Sequence, residues 1–195
     1  RWTGNNWIVS DPGATRDAEL VIDSKDNTFL CQRGGNNGGF IGINKLPAES
    51  NTWIAMTDAD QNHKGKNDHV YSDMWMDAND VIHLVQRHGP EVEVTYRRSN
   101  DGGMTWSIET SISNERSEAP HIVVNHDGDI IISTGKGYVF ENKGQQWDSV
   151  GRIVHVYGRY QPEFRLDESN NVYMTTFGGQ FNIMSDGIWR EENKI

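Results

Sequence analysis

Several features that point to common protein classes are scarce or missing in this sequence. Its 195 residues contain one cysteine, Cys31, so an internal disulfide and a cysteine-based zinc site are excluded. No apolar run approaches the roughly 18 residues of a membrane-spanning helix, and we expect no membrane span. Basic residues are few, with 18 Lys and Arg against 28 Asp and Glu and a net charge of −10. Because proteins that bind the phosphate backbone normally carry the opposite excess, the composition argues against nucleic acid as a partner.

Helical hydrophobic periodicity is also nearly absent. In its place stand short apolar runs such as Val81–Val85 and Ile130–Ile132, rich in β-branched residues and separated by Gly, Asn and Asp. This composition is typical of an all-β protein. Hydrophobic residues make up 35% and aromatic residues 10% of the chain, which is enough to form a core and excludes a disordered chain.

Four stretches of the chain share one pattern: an apolar strand, an Asp or Asn, a tight turn, and a second apolar strand. We call the Asp or Asn the turn anchor, and successive anchors are 54, 48 and 42 residues apart. Each stretch is predicted to be a β-hairpin, since Asx residues and glycine accept the backbone angles of a tight turn. The stretches are 19–30, 73–84, 121–132 and 163–174, with anchors Asp23, Asp77, Asn125 and Asp167.

A turn that ends in tryptophan follows each anchor by 22 to 30 residues. Two hairpins per module give a four-stranded unit that cannot bury both faces alone and must stack on its neighbours, which predicts a β-propeller of four-stranded antiparallel blades. The expected blades span 11–60, 61–114, 115–155 and 156–195, with 1–10 as the last strand of a preceding blade. The tryptophans are Trp53, Trp106, Trp147 and Trp189, with a fifth at Trp7. Because five such turns accompany only four hairpin sets, we expect an arc that further blades or a second copy of the chain completes.

Residues 99–106 read Ser-Asn-Asp-Gly-Gly-Met-Thr-Trp and resemble the Asp-box, the turn repeated in sialidase-like BNR propellers. The residues themselves predict that Asp101 accepts hydrogen bonds from the turn's backbone N–H groups, that the glycines adopt positive φ, and that Trp106 packs between blades. In the family the Asp-box is structural and lies on the face away from the active site. The resemblance assigns this structural role to Ser99, Asp101, Gly103, Thr105 and Trp106.

The stretch from Asp68 to Ser99 is similar to the BNR-type propeller families that include ulvan lyases and related polysaccharide lyases. The similarity consists of an Asp-His pair before one strand, an Ile-His in the next, a further His about 20 residues on, and a Tyr-Arg-x-Ser segment. In those families two histidines with a Tyr and an Arg form the catalytic set. The resemblance therefore implies a catalytic role for His69 and His88.

Strand counting places His69 and His88 on one rim of the second blade, opposite the Asp-box. The same count in the other blades brings Tyr138 and Arg159 to this rim as further candidate catalytic residues, and Lys136 and Ser117 as candidate substrate-binding residues. Arg97 and Arg98 lead into the Asp-box-like turn and are expected to lie at a solvated strand end, where Arg97 is a further candidate contact to a glycan. Such a set suits β-elimination on a uronic-acid polysaccharide, in which a cation neutralises the carboxylate while a histidine or tyrosine moves protons.

Two other functions remain open at this stage. The first is a non-catalytic module that binds glycans on a cell or virion surface, and the second is a sialidase-like glycoside hydrolase. Either partner, a polysaccharide or a smaller glycan, implies an extracellular, periplasmic or surface-exposed protein. We expect no cofactor, and no motif supports a structural calcium ion or another metal site. His83, inside an apolar strand, is expected to be a buried histidine with its hydrogen bonds satisfied.

Overall fold

The computed structural model describes residues 16–33, 41–56, 59, 71–88, 93–113, 119–144, 146–152, 163–175 and 181–192. These residues form sixteen β-strands and contain no helix. The strands are β1 (Arg16–Ile22), β2 (Thr28–Arg33), β3 (Ile41–Leu46), β4 (Ile54–Ala55), β5 (Ser72–Met76), β6 (Ile82–His88), β7 (Glu93–Ser99), β8 (Thr110–Ser113), β9 (His121–Val124), β10 (Ile130–Ser133), β11 (Tyr138–Asn142), β12 (Trp147–Arg152), β13 (Glu163–Leu166), β14 (Val172–Thr175), β15 (Phe181–Ser185) and β16 (Ile188–Glu192).

The strands form four separate four-stranded sheets, and each sheet pairs its strands in chain order: β1–β4, β5–β8, β9–β12 and β13–β16. Every pairing is antiparallel. The first strands of consecutive sheets lie side by side, with β1 next to β5, β5 next to β9, and β9 next to β13. This is the arrangement of propeller blades around a central funnel and confirms the predicted fold class, while the exact blade boundaries stay a prediction.

The predicted turn anchors build four equivalent turns at one end of the blades. In the second blade, Oδ1 of Asp77 accepts hydrogen bonds from the backbone N–H of Asn79 at 2.8 Å and of Val81 at 2.9 Å. The other three anchors accept bonds from the residues two and four positions later in the same way. The residue three positions after each anchor has positive φ, and these residues are Asp26, Asp80, Gly128 and Asn170. The prediction of anchored hairpins is confirmed.

Two of the three blade junctions carry a hydrogen-bonded link between neighbouring turns. The carboxylate of Asp80 accepts bonds from the backbone N–H of Ser24 at 2.7 Å and from its hydroxyl at 2.6 Å. Asn170 accepts a bond from the backbone N–H of His126 at 2.7 Å. The equivalent residue between the second and third blades is Gly128, which has no side chain to make this link.

Apolar side chains fill the space between consecutive blades and form the core. On the first strands, the residue three positions before each anchor is buried in blades two to four: Met74, Ile122 and Phe164 are 4%, 1% and 3% exposed. Each packs against the preceding blade, in clusters with Ile43, Tyr96 and Ile131 respectively. Full burial of such a side chain contributes about 1.5–3 kcal/mol, so these contacts hold the blades together.

The turn at residues 99–106 has the internal bonding that its sequence predicts. Oδ1 of Asp101 accepts bonds from the Thr105 N–H and the Ser99 hydroxyl, both at 2.8 Å, and Gly103 has a φ of 83°. Hydrogen bonds from the Thr105 hydroxyl, the Thr105 N–H and the Ser99 hydroxyl hold the pKa of the Asp101 carboxyl below its usual value. Trp106 packs against the cluster between the first and second blades, as expected.

No helix within the described ranges is long and apolar enough to cross a membrane.

Candidate functional site in the central funnel

One register position on the four first strands carries a titratable side chain in every blade. Each of these residues lies four positions before its anchor, and they are Glu19, Asp73, His121 and Glu163. First strands surround the funnel, and residues at the same register project on the same side of their strands. The four side chains therefore border a single cavity of about 320 Å³, near the lower end of the roughly 300–1,000 Å³ range of small-molecule sites.

Asp73 is fixed by hydrogen bonds to both of its carboxylate oxygens. Oδ1 accepts a bond from the backbone N–H of Met74 at 2.8 Å, and Oδ2 accepts one from the backbone N–H of Ile122 at 2.9 Å. Nδ1 of His121 lies 3.3 Å from the same Oδ2. Because these partners come from β5 and β9, the contacts join the second and third blades at the funnel wall.

The surroundings of Glu19 change the protonation of its carboxyl group. Partial loss of solvent around its carboxyl raises the pKa, and the negative charge of Asp73 raises it further. His121 and Arg165 act in the opposite direction, while Glu163 adds to the rise. Glu19 thus retains a proton to a higher pH than an isolated glutamate does, which is the property of a proton donor.

Glu163 remains open to solvent on the fourth blade. Its side chain is 59% exposed, and its Oε2 lies 3.2 Å from Nη2 of Arg165, whose side chain is 75% exposed. An exposed pair of this kind adds little stability. Both glutamates are exposed on the funnel wall and differ in their neighbours, since Glu19 lies near the charge of Asp73 and Glu163 is paired with Arg165. Among the described residues, no group of three or more His, Cys, Asp or Glu side chains is arranged to hold a metal ion.

His88 is the last residue of β6 and pairs with Glu93, whereas the other end of this strand pair joins Ile82 to Ser99, beside the turn at residues 99–106. Its backbone therefore lies at the end of the blade opposite Asp101. His69, Ser117 and Arg159 lie outside the described residues, as does the side chain of His88. The predicted pairing of His69 with His88 stays a prediction.

Tyr138 and Lys136 lie at the hairpin between the second and third strands of the third blade, at the end opposite the anchored turns. Tyr138 is half-buried, and the guanidinium carbon of Arg152 lies 5.9 Å from the centre of its ring. Nε of Arg152 also donates to the carbonyl oxygen of Lys136 at 3.0 Å. Tyr138 and Lys136 thus lie at the hairpin of the two middle strands and not on the first strand of their blade.

Arg97 differs from its expected setting at a solvated strand end. It is 7% exposed, and its guanidinium pairs with the carboxylate of Glu109, with Nε 3.0 Å from Oε2. The expectation of a solvated arginine holds for the neighbouring Arg98, which is exposed, and is wrong for Arg97. A buried guanidinium needs a carboxylate partner, and this pairing directs Arg97 into the blade.

His83 is buried as expected, at 4% exposure. Its Nδ1 lies 2.8 Å from the hydroxyl of Tyr96, and its Nε2 lies 3.4 Å from Oδ2 of Asp77. Burial is the main effect on its pKa, which is lowered, although Asp77 counteracts part of this effect.

The funnel residues were not among the sites that sequence reasoning selects, although a signal for them exists. The four repeated stretches begin with Glu, Asp, His and Glu, and alignment on the anchors places these residues at one position. In a propeller the first strand faces the funnel, so a titratable residue repeated at a fixed distance before the anchor marks the funnel wall.

Comparison with known proteins supports the fold. A mutant of the GH43 protein BlXynB from Bacillus licheniformis superposes with a TM-score of 0.61 and 10% identity over 94% of this chain and 43% of its own. The Hadza microbial sialidase Hz136 superposes with a TM-score of 0.61 and 14% identity, over 92% of this chain and 46% of its own. The α-L-arabinofuranosidase Arb93A from Fusarium graminearum was solved with an iminosugar inhibitor. It superposes with a TM-score of 0.60 and 11% identity, over 93% of this chain and 68% of its own.

These structures are β-propellers, and this chain has a β-propeller fold. It spans less than half the length of the first two. No protein-family model matches the sequence, and no curated protein matches it either.

Proposed function

We propose that the funnel binds a glycan and hydrolyses a glycosidic bond with Glu19 as the proton donor. The observation that carries this proposal is the raised pKa of Glu19 beside the charge of Asp73 in one cavity. Glycoside hydrolysis typically uses two carboxyl groups, one protonated as a general acid and one ionised as a base or nucleophile. A carboxyl group whose surroundings raise its pKa suits the role of the acid.

Glu163 suits the second role better than Asp73 does. Both oxygens of Asp73 are engaged by backbone N–H groups, so this carboxylate is a fixed negative charge that helps to keep Glu19 protonated. Glu163 is exposed to the cavity and is paired with Arg165, which leaves it room to activate water or attack the sugar. Several of the superposed propellers are named for glycan-cleaving activities, which supports a carbohydrate as the ligand class.

β-elimination at the His69 and His88 rim stays a separate prediction, and its product distinguishes it. A lyase leaves an unsaturated sugar that absorbs in the ultraviolet, whereas hydrolysis leaves saturated reducing ends. A binding module without activity would retain glycans and release neither product.

The test is product analysis on a panel of neutral and uronic-acid polysaccharides, with the wild type, Glu19→Gln and Glu163→Gln. Glu168→Gln is the matched control, because Glu168 is exposed in the anchored turn of the fourth blade. We expect reducing ends without ultraviolet absorbance, a rate loss of about 10²–10⁴ for Glu19→Gln, and no loss for the control. Activity of Glu19→Gln within twofold of the wild type would refute the assignment of the proton donor.

A further inference from the structure

Trp75 lies on the axis of the funnel, between two cavities. Two cavities lie along this axis, one bordered by the funnel carboxylates and the other by the anchored turns, where Asp77 and Asn125 are located. Of the described residues, Trp75 alone lines both cavities. Trp75 therefore lies between the two cavities, at the floor of the funnel.

The position of Trp75 is unusual when the blades are compared. It lies two residues before its anchor, where the other blades carry Val21, Val123 and Arg165. The indole is only partly buried and packs against the clusters on both sides of the third blade. Because valine fills this position in two of the four blades, packing alone does not explain why the second blade carries an indole that reaches the axis.

We propose that Trp75 is the platform on which one sugar ring of the glycan stacks. A pyranose or furanose presents an apolar face of C–H groups and a polar edge of hydroxyl groups. The electron-rich face of an indole attracts the C–H face, and Asp73 lies two residues earlier on the same side of β5, near the polar edge. Carboxylates on the wall and an aromatic ring on the floor thus match the two surfaces of a sugar.

The position of Trp75 between the two cavities also bears on how a glycan enters. The proposal seats the terminal residue of the glycan on the indole, with the rest of the chain extending out of the funnel mouth. The platform proposal rests on the proposed glycan ligand, but it does not require that the glycosidic bond be cleaved.

The experiment measures binding in the Glu19→Gln background by calorimetry, so that hydrolysis does not interfere. The probes are oligosaccharides of arabinose, xylose and galactose, each in a free form and in a form blocked at the non-reducing end. Trp75→Phe retains an aromatic face, and Trp75→Leu retains apolar volume without one. We expect Trp75→Leu to weaken binding about tenfold, Trp75→Phe to stay within about threefold, and the blocked probes to bind poorly.

Tryptophan fluorescence supplies a readout that a structural role would not change. Sugar binding should shift the emission of the Glu19→Gln protein, and the shift should disappear in Trp75→Phe but persist in Trp53→Phe, whose indole lies just before the outer strand β4. Equal affinity of Trp75→Leu and the parent would overturn the platform, as would absence of binding by every probe. If binding depends on Trp75 while the wild type cleaves nothing, the platform stands and the proposed hydrolysis fails.

Discussion

Asn125 allows the energetics of an anchored turn to be measured in one blade. Its Oδ1 accepts bonds from the backbone N–H of Asp127 at 3.1 Å and of Asp129 at 2.8 Å, and the residue is 8% exposed. Asn125→Ala removes both acceptors, and each such bond contributes a net of about 0.5–1.5 kcal/mol. We expect the free energy of unfolding to fall by about 2 kcal/mol. For a domain of this size that corresponds to a decrease in Tm of about 4–8 °C.

The measurement is urea and thermal unfolding followed by circular dichroism. His126→Ala is the control, since the exposed side chain of His126 neighbours the turn while its backbone N–H makes the bond to Asn170. We expect this control to stay within about 0.5 kcal/mol of the wild type. Asn125→Asp keeps the carboxylate acceptor that the other three blades use but places its charge beside Asp129. Its free energy of unfolding should therefore lie between those of the wild type and Asn125→Ala. A loss below about 0.5 kcal/mol for Asn125→Ala would show that the anchors do not stabilise the turns.

Two further predictions concern pH and packing. The pKa of His83 is lowered, so on acidification the unfolded chain takes up a proton near pH 6.5 before the folded protein does. Stability should therefore fall as the pH drops below about 6.5. Between about pH 5 and 8 the free energy of unfolding of His83→Gln should depend less steeply on pH, and an unchanged dependence would contradict the assignment. Gly103 and Gly128 have similar positive φ, but a Cβ on Gly103 would lie 3.4 Å from Cγ2 of Ile43 whereas one on Gly128 meets nothing within 4 Å. In urea unfolding, both alanine variants should lose about 1–2 kcal/mol of unfolding free energy through backbone strain, and Gly103→Ala should lose more than Gly128→Ala. Equal losses would show that the contact with Ile43 has no effect.

The repeat spacing carries most of the information about the fold. Anchors such as Asp77 act through hydrogen bonds to residues two and four positions later, and this chemistry depends only on local sequence. The sequence shows less clearly which side of each first strand faces the funnel. On β1, for example, the same side carries the polar Glu19 and the apolar Val21. Only the stacking of blades decides which of them borders the funnel.

The settings of the chemically active side chains were harder to predict, because they depend on contacts that are not local. The pKa of Glu19 depends on Asp73, which lies on another blade and more than fifty residues away. The burial of Arg97 depends on its pairing with Glu109 across a turn, which no hydrophobic pattern reports. A motif shows which residues are able to do chemistry, whereas packing decides which of them meet.

The central claim is that carboxyl groups from neighbouring first strands form one electrostatically coupled site. Carbon-13 NMR titration of the Glu19 side chain tests it most directly, in the wild type and in Asp73→Asn. We predict a pKa above the usual value of 4.5 in the wild type and a decrease in Asp73→Asn, because the neighbouring negative charge is removed. A wild-type pKa at or below 4.5, or the same pKa in both proteins, would contradict the account.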